Sequence, residues 1–223
     1  MAETDLQRRR VVAALAALPA TLAVGTARAQ GIAAGKEYLV VSPPLPPESP
    51  SKVEVIEFFS YACPYCFSFE PAIEPWIDSL PPYVMFHRVP VVFHEPWLAP
   101  AKLYYTLAIL GENKRLDRLI FDTMHLQHRD LTHEDQIANF LESQGIPQKK
   151  FLEIFNSFAV ETRMQRSKQL LKAYKIDQVP ELAVDGMYVT SSSMADPRQP
   201  ASVLPVVDYL VELVRKERKL AKA

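Results

Sequence analysis

Apolar positions along the chain repeat first at the period of a strand and then at that of a helix, and the change falls at one short segment. Val53 to Phe59 is a nearly continuous run of β-branched, aromatic and aliphatic side chains, the pattern of a strand buried on both faces. It feeds directly into Cys63-Pro64-Tyr65-Cys66, after which Phe67, Phe69, Ile73 and Trp76 keep helical spacing. Pro71 and Pro75 each remove a backbone donor from that helix, so a kink near Pro71 and an end by Leu80 are expected. Tyr83 to Phe93 returns to strand character, interrupted at Pro90. The unit is strand, helix, strand, with both cysteines at the C-terminal end of its first strand, where open α/β sheets usually place their ligands.

Upstream, Glu37 to Val41 reads as a short first strand, and the proline-rich stretch from Ser42 to Pro50 as a stiff extended connector. Downstream, the pattern is helical from Trp97 to Tyr174. Leu98 to Leu110 stops at Gly111, and Thr132 followed by Asp135 gives an N-cap signal ahead of Ile137, Phe140 and Leu141. Gly145 closes that segment, Pro147 suits the first turn of another helix, and Ala159 to Tyr174 forms a last long one. Strand character resumes at Glu181 to Val184, turns at Asp185-Gly186 and returns from Met187 to Thr190, a hairpin by its turn chemistry. A closing helix is expected from Ala201 to Lys219.

The first residues change the picture of where such a domain works. Arg8-Arg9-Arg10, an apolar segment from Val11 to Val24 and Ala27-Arg28-Ala29 follow the order of a secretory signal peptide, with cleavage after Ala29. The apolar part is too short for a comfortable membrane span, and no later run reaches that length. Removal of residues 1–29 takes away four of the 25 Lys+Arg and two of the 26 Asp+Glu, leaving 21 against 24. Nothing in that slightly acidic balance points to nucleic acid.

An exported protein ordinarily uses cysteines as staples, but this chain has only two, separated by two residues. A bridge closing so short a loop stabilises by only about 2 kcal/mol. The pair is better read as chemistry: a disulfide that stabilises little is one that opens and closes readily. Cysteines at i and i+3 share a helix face, and Pro64 at the first helical position costs no hydrogen bond. Cys63 then sits where unpaired N–H groups and the positive end of the helix dipole favour its thiolate, while Cys66, one turn deeper, is the resolving thiol. The dipole is worth roughly 0.3 to 2 kcal/mol, which lowers a pKa by at most about 1.5. Any larger depression needs added donors. Pro64 has none to give, and Tyr65 offers only a distant hydroxyl.

The run Glu57-Phe-Phe-Ser-Tyr-Ala-Cys-Pro-Tyr-Cys66, the leader, the helical block and Val179-Pro180 ahead of a hairpin together resemble the bacterial periplasmic DsbA family of thiol-disulfide interchange proteins. The likeness runs from about Lys36 to the C-terminus. It implies an α/β architecture, a thioredoxin fold with an inserted all-helical domain: residues 1–29 as signal peptide, 30–96 and 175–223 as the thioredoxin-like part, and 97–174 as the insertion. It further implies a periplasmic monomer without cofactor that oxidises newly exported polypeptides and is reoxidised by a membrane quinone reductase of the DsbB type. The resemblance also implies a depressed thiol pKa and an oxidising potential.

Two positions depart from that family's pattern. Many members hold a histidine where this chain has Tyr65, so a higher Cys63 pKa and a weaker oxidant are expected here. Glu57 is a carboxylate in an apolar strand. In relatives a buried acid at this place lies near the resolving cysteine, sometimes with a lysine close by, yet the adjacent strand offers Phe86 and His87 and no lysine. Glu57 is expected to accept the Cys66 proton. By analogy with thioredoxin folds, Val179-Pro180 is expected to form a cis-proline loop facing the cysteines, with Val179 pairing to an extended substrate.

Other chemistries fit less well. Cys-x-x-Cys can be half of a zinc site, and His125 and His128 share helix spacing, but no second cysteine pair exists. Glutaredoxins are short and lack the helical block. Exported disulfide isomerases carry a dimerisation domain, for which the segment between Gln30 and Val53 is too short. A chaperone-like module would need Tyr61, Trp76 and Trp97 on its surface to hold unfolded chains.

Overall fold

A computed structural model gives the protein over residues 31–221; the expected signal peptide lies outside the described residues. Strand β2 (Val53–Phe59) is buried at every position and lies inside a five-stranded sheet of order β1-β5-β4-β2-β3. β1 is Leu39–Val40, shorter than the sequence pattern implied; β3 is Val84–Pro90, β4 Glu181–Val184 and β5 Tyr188–Ser191. β3 runs parallel to β2, and the other neighbours are antiparallel. The parallel pair requires a crossover, which helix α1 (Pro64–Asp78) supplies.

Alternation along β2 sends its side chains to opposite faces. Val53 and Val55 pack with Phe69 and Ile73 of α1, while Ile56 and Phe58 join Val89, Ala183 and Val189 on the other side. Each such side chain contributes about 1.5–3 kcal/mol by leaving water. Glu57 therefore faces α1, a point on which the site depends. α1 continues through Pro71 and Pro75 to Asp78. Both prolines are exposed and one turn apart, so the carbonyls they leave without donors lie towards solvent.

Between β3 and β4 come α2 (Leu98–Leu110), α3 (Asn113–His125), α4 (Glu134–Ser143), α5 (Gln148–Phe155) and α6 (Phe158–Tyr174). Gly111 (φ 74°) and Gly145 (φ 85°) occupy the left-handed stops. The cap of α4 is His133, one residue beyond the expected Thr132, whose hydroxyl instead donates to Asp130 at 2.6 Å. Pro147 likewise stands just outside α5 as its N-cap. The core of this block runs through Leu103, Leu107, Phe121, Phe140 and Phe151 and takes in Tyr61 and both cysteines. The described residues from 32 onward form one compact unit. Tyr61 is 1 % exposed, Trp76 donates to Asp208 at 2.8 Å, and Trp97 is partly buried against two core clusters. The surface aromatic patch of the chaperone reading is therefore not assembled.

The hairpin turn has Asp185 at φ 53° and Gly186 at φ 70°, both in the left-handed region that suits a tight two-residue connection. A Cβ on Gly186 would collide with the Leu45 carbonyl, so glycine there also lets the proline-rich connector lie across the turn. After a short α7 (Ser192–Ala195), helix α8 (Leu204–Glu217) covers the α1 face of the sheet. Just past its end, Arg218 donates to Asp185 at 2.6 Å and to the carbonyls of Lys52 at 2.9 Å and Ser49 at 2.7 Å.

Candidate active site

Cys63 is the N-cap of α1 in extended conformation, with Pro64 at the first helical position. The first-turn N–H groups consequently have no carbonyl to bond. The Cys66 thiol and the N–H groups of Tyr65 and Cys66 favour the Cys63 thiolate. The Cys66 thiol contributes most, and despite opposition from burial the Cys63 pKa is lowered to about 7. Cys66 is fully enclosed; burial, the proton it shares with Cys63 and the negative field of Glu57 push its thiol well above the usual range. Two identical side chains three residues apart are thus separated by position alone.

Both cysteines are reduced. Cys63 is only 4 % exposed, less open than a freely accessible attacking sulfur, whereas Tyr65 beside it is 73 % exposed. The Val179-Pro180 bond is cis, and the Cys63 sulfur lies 3.6 Å from the Val179 carbonyl. A groove of about 340 Å³ opens there, lined by Tyr65, Ser68, Gln178, Pro180 and the Ser191–Ser193 hydroxyls.

Behind Cys66 the neighbours read for Glu57 on the adjacent strand need correction. Its partner is Arg88, which pairs with it across the parallel ladder and donates Nε–H to its Oε2 at 2.6 Å. Phe86 and His87 stand opposite Val55 and Ile56. Arg88 also bonds Glu70 at 2.8 Å and lies 3.1 Å from Glu74 and 3.7 Å from Asp117, so one guanidinium serves four carboxylates. Burial raises the Glu57 and Glu70 pKa values against the pull of Arg88, that of Glu70 to about 8. Among the described residues Glu57 Oε1 is buried without a hydrogen-bond partner, which leaves it free to carry a proton.

Sequence reasoning missed Arg88, Glu70, Asp117 and His125. The strand expected from Tyr83, aligned with Val53, puts His87 opposite Glu57; the observed start at Val84 puts Arg88 there. No local pattern marks Asp117 or His125. His125 ends α3, stacked on Phe67 with ring centroids 4.9 Å apart, whereas His128 lies in the following loop at φ 52°. Among the described residues the one group of three potential metal ligands is Glu48, Glu54 and His87, which contains neither cysteine.

A mixed sheet with a dithiol at the start of the helix following an inner strand, faced by a cis-proline loop and interrupted by helices, is a thioredoxin fold with a helical insertion. Proteins of this class are thiol-disulfide oxidoreductases. No family model matches the chain. It is 37% identical to the thiol:disulfide interchange protein DsbA of Pseudomonas aeruginosa, over 96% of this chain and 99% of the relative. It is 38% identical to the DsbA of Bordetella parapertussis over 97% and 100%. The crystal structure of Pseudomonas aeruginosa DsbA superimposes with a TM-score of 0.80 at 37% identity, covering 84% of this chain and 97% of that one. The DsbA of Xylella fastidiosa does so at 0.76 and 26%, over 83% and 98%. The chain belongs to the DsbA family of thiol:disulfide interchange proteins and is a disulfide oxidoreductase.

Proposed function

We propose that the protein transfers the Cys63-Cys66 disulfide to reduced polypeptides exported to the periplasm. A substrate thiolate attacks the Cys63 sulfur of the oxidised pair, the bond to Cys66 breaks, and Cys66 leaves as a thiolate that takes up a proton. A second substrate thiolate attacks the substrate sulfur of the mixed disulfide and expels Cys63 as a thiolate. The substrate has then lost two electrons, which the protein holds as its dithiol. A low pKa makes Cys63 the better leaving group and stabilises the reduced form, so equilibrium favours donation. The electrons must pass to an acceptor before the next cycle, and a membrane quinone reductase of the DsbB type fills that role.

Pro64 leaves the first-turn donors free for the Cys63 sulfur, and Tyr65 forms the mouth of the groove. Glu57 takes the Cys66 proton through its unpartnered oxygen and returns it. Val179 and Pro180 bind an extended substrate by strand addition. The protein works as a monomer, with residues 97–174 as the inserted domain and 30–96 with 175–223 as the thioredoxin part. Placement in the periplasm rests on the leader-like first residues and on the family. No helix among the described residues is long and apolar enough to cross a membrane.

The observation that carries this reading is the separation of the two thiols, Cys63 held near neutral and Cys66 far above. Equilibration of the pair against glutathione redox buffers tests it. The expected result is a dithiol that persists where glutathione is largely oxidised; a pair that stays disulfide-bonded in excess reduced glutathione overturns donation.

A further inference from the structure

Helix α3, which belongs to the helical block, grips the cysteine motif from both ends. Before the motif, Tyr61 donates its hydroxyl to Asp117 Oδ1, and its carbonyl lies 2.7 Å from His125 Nε2. After the motif, the Phe67 ring lies flat on the His125 ring, with the Arg118 guanidinium 5.5 Å from its centroid. Asp117 is held in turn by Asn113 Nδ2 at 3.1 Å and by the Arg88 guanidinium at 3.7 Å. Burial keeps the Tyr61 hydroxyl protonated and able to donate.

The segment so gripped decides where Cys63 sits. The Cys63 N–H bonds the Ser60 carbonyl at 3.1 Å, so Tyr61 and Ala62 are the central residues of the turn that delivers the sulfur. The Ser60 N–H faces the Cys66 sulfur at the same time. Hydrogen bonds weaken steeply with distance and angle, and the donors that favour the Cys63 thiolate lie on α1, across this turn from α3. A shift of the turn relative to α1 therefore changes those donors directly.

We propose that α3 acts as a clamp on the active-site turn, with Tyr61 and His125 as positioning residues that hold the Cys63 sulfur at the distance from Cys66 and the first turn of α1 that exchange requires. The proposal rests on the reading of Cys63 as the exchanging sulfur. It assigns the insertion a part in the chemistry beyond forming a wall.

The test uses the mature protein carrying Tyr61→Phe, His125→Leu or His125→Gln. Phenylalanine keeps the ring packed against Phe59 and Phe121 but removes the hydroxyl; glutamine keeps a donor for the Tyr61 carbonyl, and leucine does not. Thiolate absorbance gives the Cys63 pKa, and glutathione buffers give the equilibrium constant. Tyr61→Phe and His125→Leu are expected to raise the pKa and to shift the constant towards the disulfide form by about three- to tenfold, with His125→Gln recovering most of the shift. A pKa and constant within about twofold of wild type in the folded variants, even with a lowered unfolding midpoint, would make the grip structural only and overturn the clamp. Should Tyr61→Phe fail to fold, the His125 pair decides alone. A wild-type protein that exchanges no disulfide would instead defeat the reading of Cys63, and the clamp with it.

Discussion

The two sulfurs share one helical turn, yet the sides on which they lie are assembled from different material. The groups that favour the Cys63 thiolate are neighbours in sequence, the Cys66 thiol and the first-turn N–H groups that Pro64 leaves free, although the loop the sulfur faces comes from far along the chain. The Cys66 side is built from β2, β3, α1 and α3, which converge on one guanidinium. Backbone donors lower a pKa cheaply because a helix start has them in surplus. Burial with a negative neighbour raises one, and it needs a folded interior to do so. The asymmetry that drives exchange is thus half local and half tertiary, and each half can be broken separately.

The largest effects come from the sulfurs. Cys63→Ala abolishes oxidation of a reduced peptide; Cys66→Ala does so too, but offered a disulfide-bonded peptide its Cys63 thiolate takes one sulfur while the other leaves as a thiol, and without Cys66 to displace it the mixed disulfide accumulates and appears on non-reducing gels. Capture surviving in the first variant and lost in the second would reverse the assignment. Next, Glu57→Leu slows exchange at neutral pH by roughly tenfold to a hundredfold, measured by stopped-flow. The fold should persist because Arg88 keeps Glu70, Glu74 and Asp117; unchanged rates would end the proton role. On the opposite side, Tyr65→His lowers the Cys63 pKa from about 7 by roughly one unit, followed by thiolate absorbance. An equal or higher value would mean that the residue between the cysteines does not explain the difference from histidine-bearing relatives.

The smallest effect concerns stability. In the oxidised protein no thiol titrates, while Glu54 and Glu181 are raised to about 7 and Glu70 to about 8, chiefly by burial. Between their ordinary value near 4.5 and those raised values the folded state binds more protons than the unfolded one, so stability falls as pH rises. His87, held below its usual value by burial, works in the opposite direction. The net result is a loss of stability from pH 5 to pH 8, read from denaturant midpoints. A midpoint that rises over that range would show that these carboxylates keep their charge inside the fold.

What was legible in the sequence followed the same division. Gly111, Gly145 and the Asp185-Gly186 turn announce themselves because a left-handed backbone favours few residue types. The motif, its proline and the helical block were readable for similar local reasons. Register was not: the ladder places Arg88 opposite Glu57, a difference of one residue from His87 that exchanges a neutral neighbour for a guanidinium. Tyr61 and Trp97 read more readily as core than as surface, but only tertiary packing decides which aromatic is enclosed. Thr132 has good cap chemistry, but Asp130 binds its hydroxyl and the helix begins one residue later.

Arg218 sets an order on completion of the molecule. The enclosed Asp185 carboxylate, 2 % exposed, obtains its guanidinium only from the residue after the last helix, and the same side chain ties down the chain entering β2. A polypeptide released N-terminus first can form its reactive turn and helical block while this stitch at the hairpin turn is still missing. Trimming the chain to residue 217 should therefore loosen a hairpin that lies far from the cut in sequence, and a nascent protein becomes whole only when its final turn arrives.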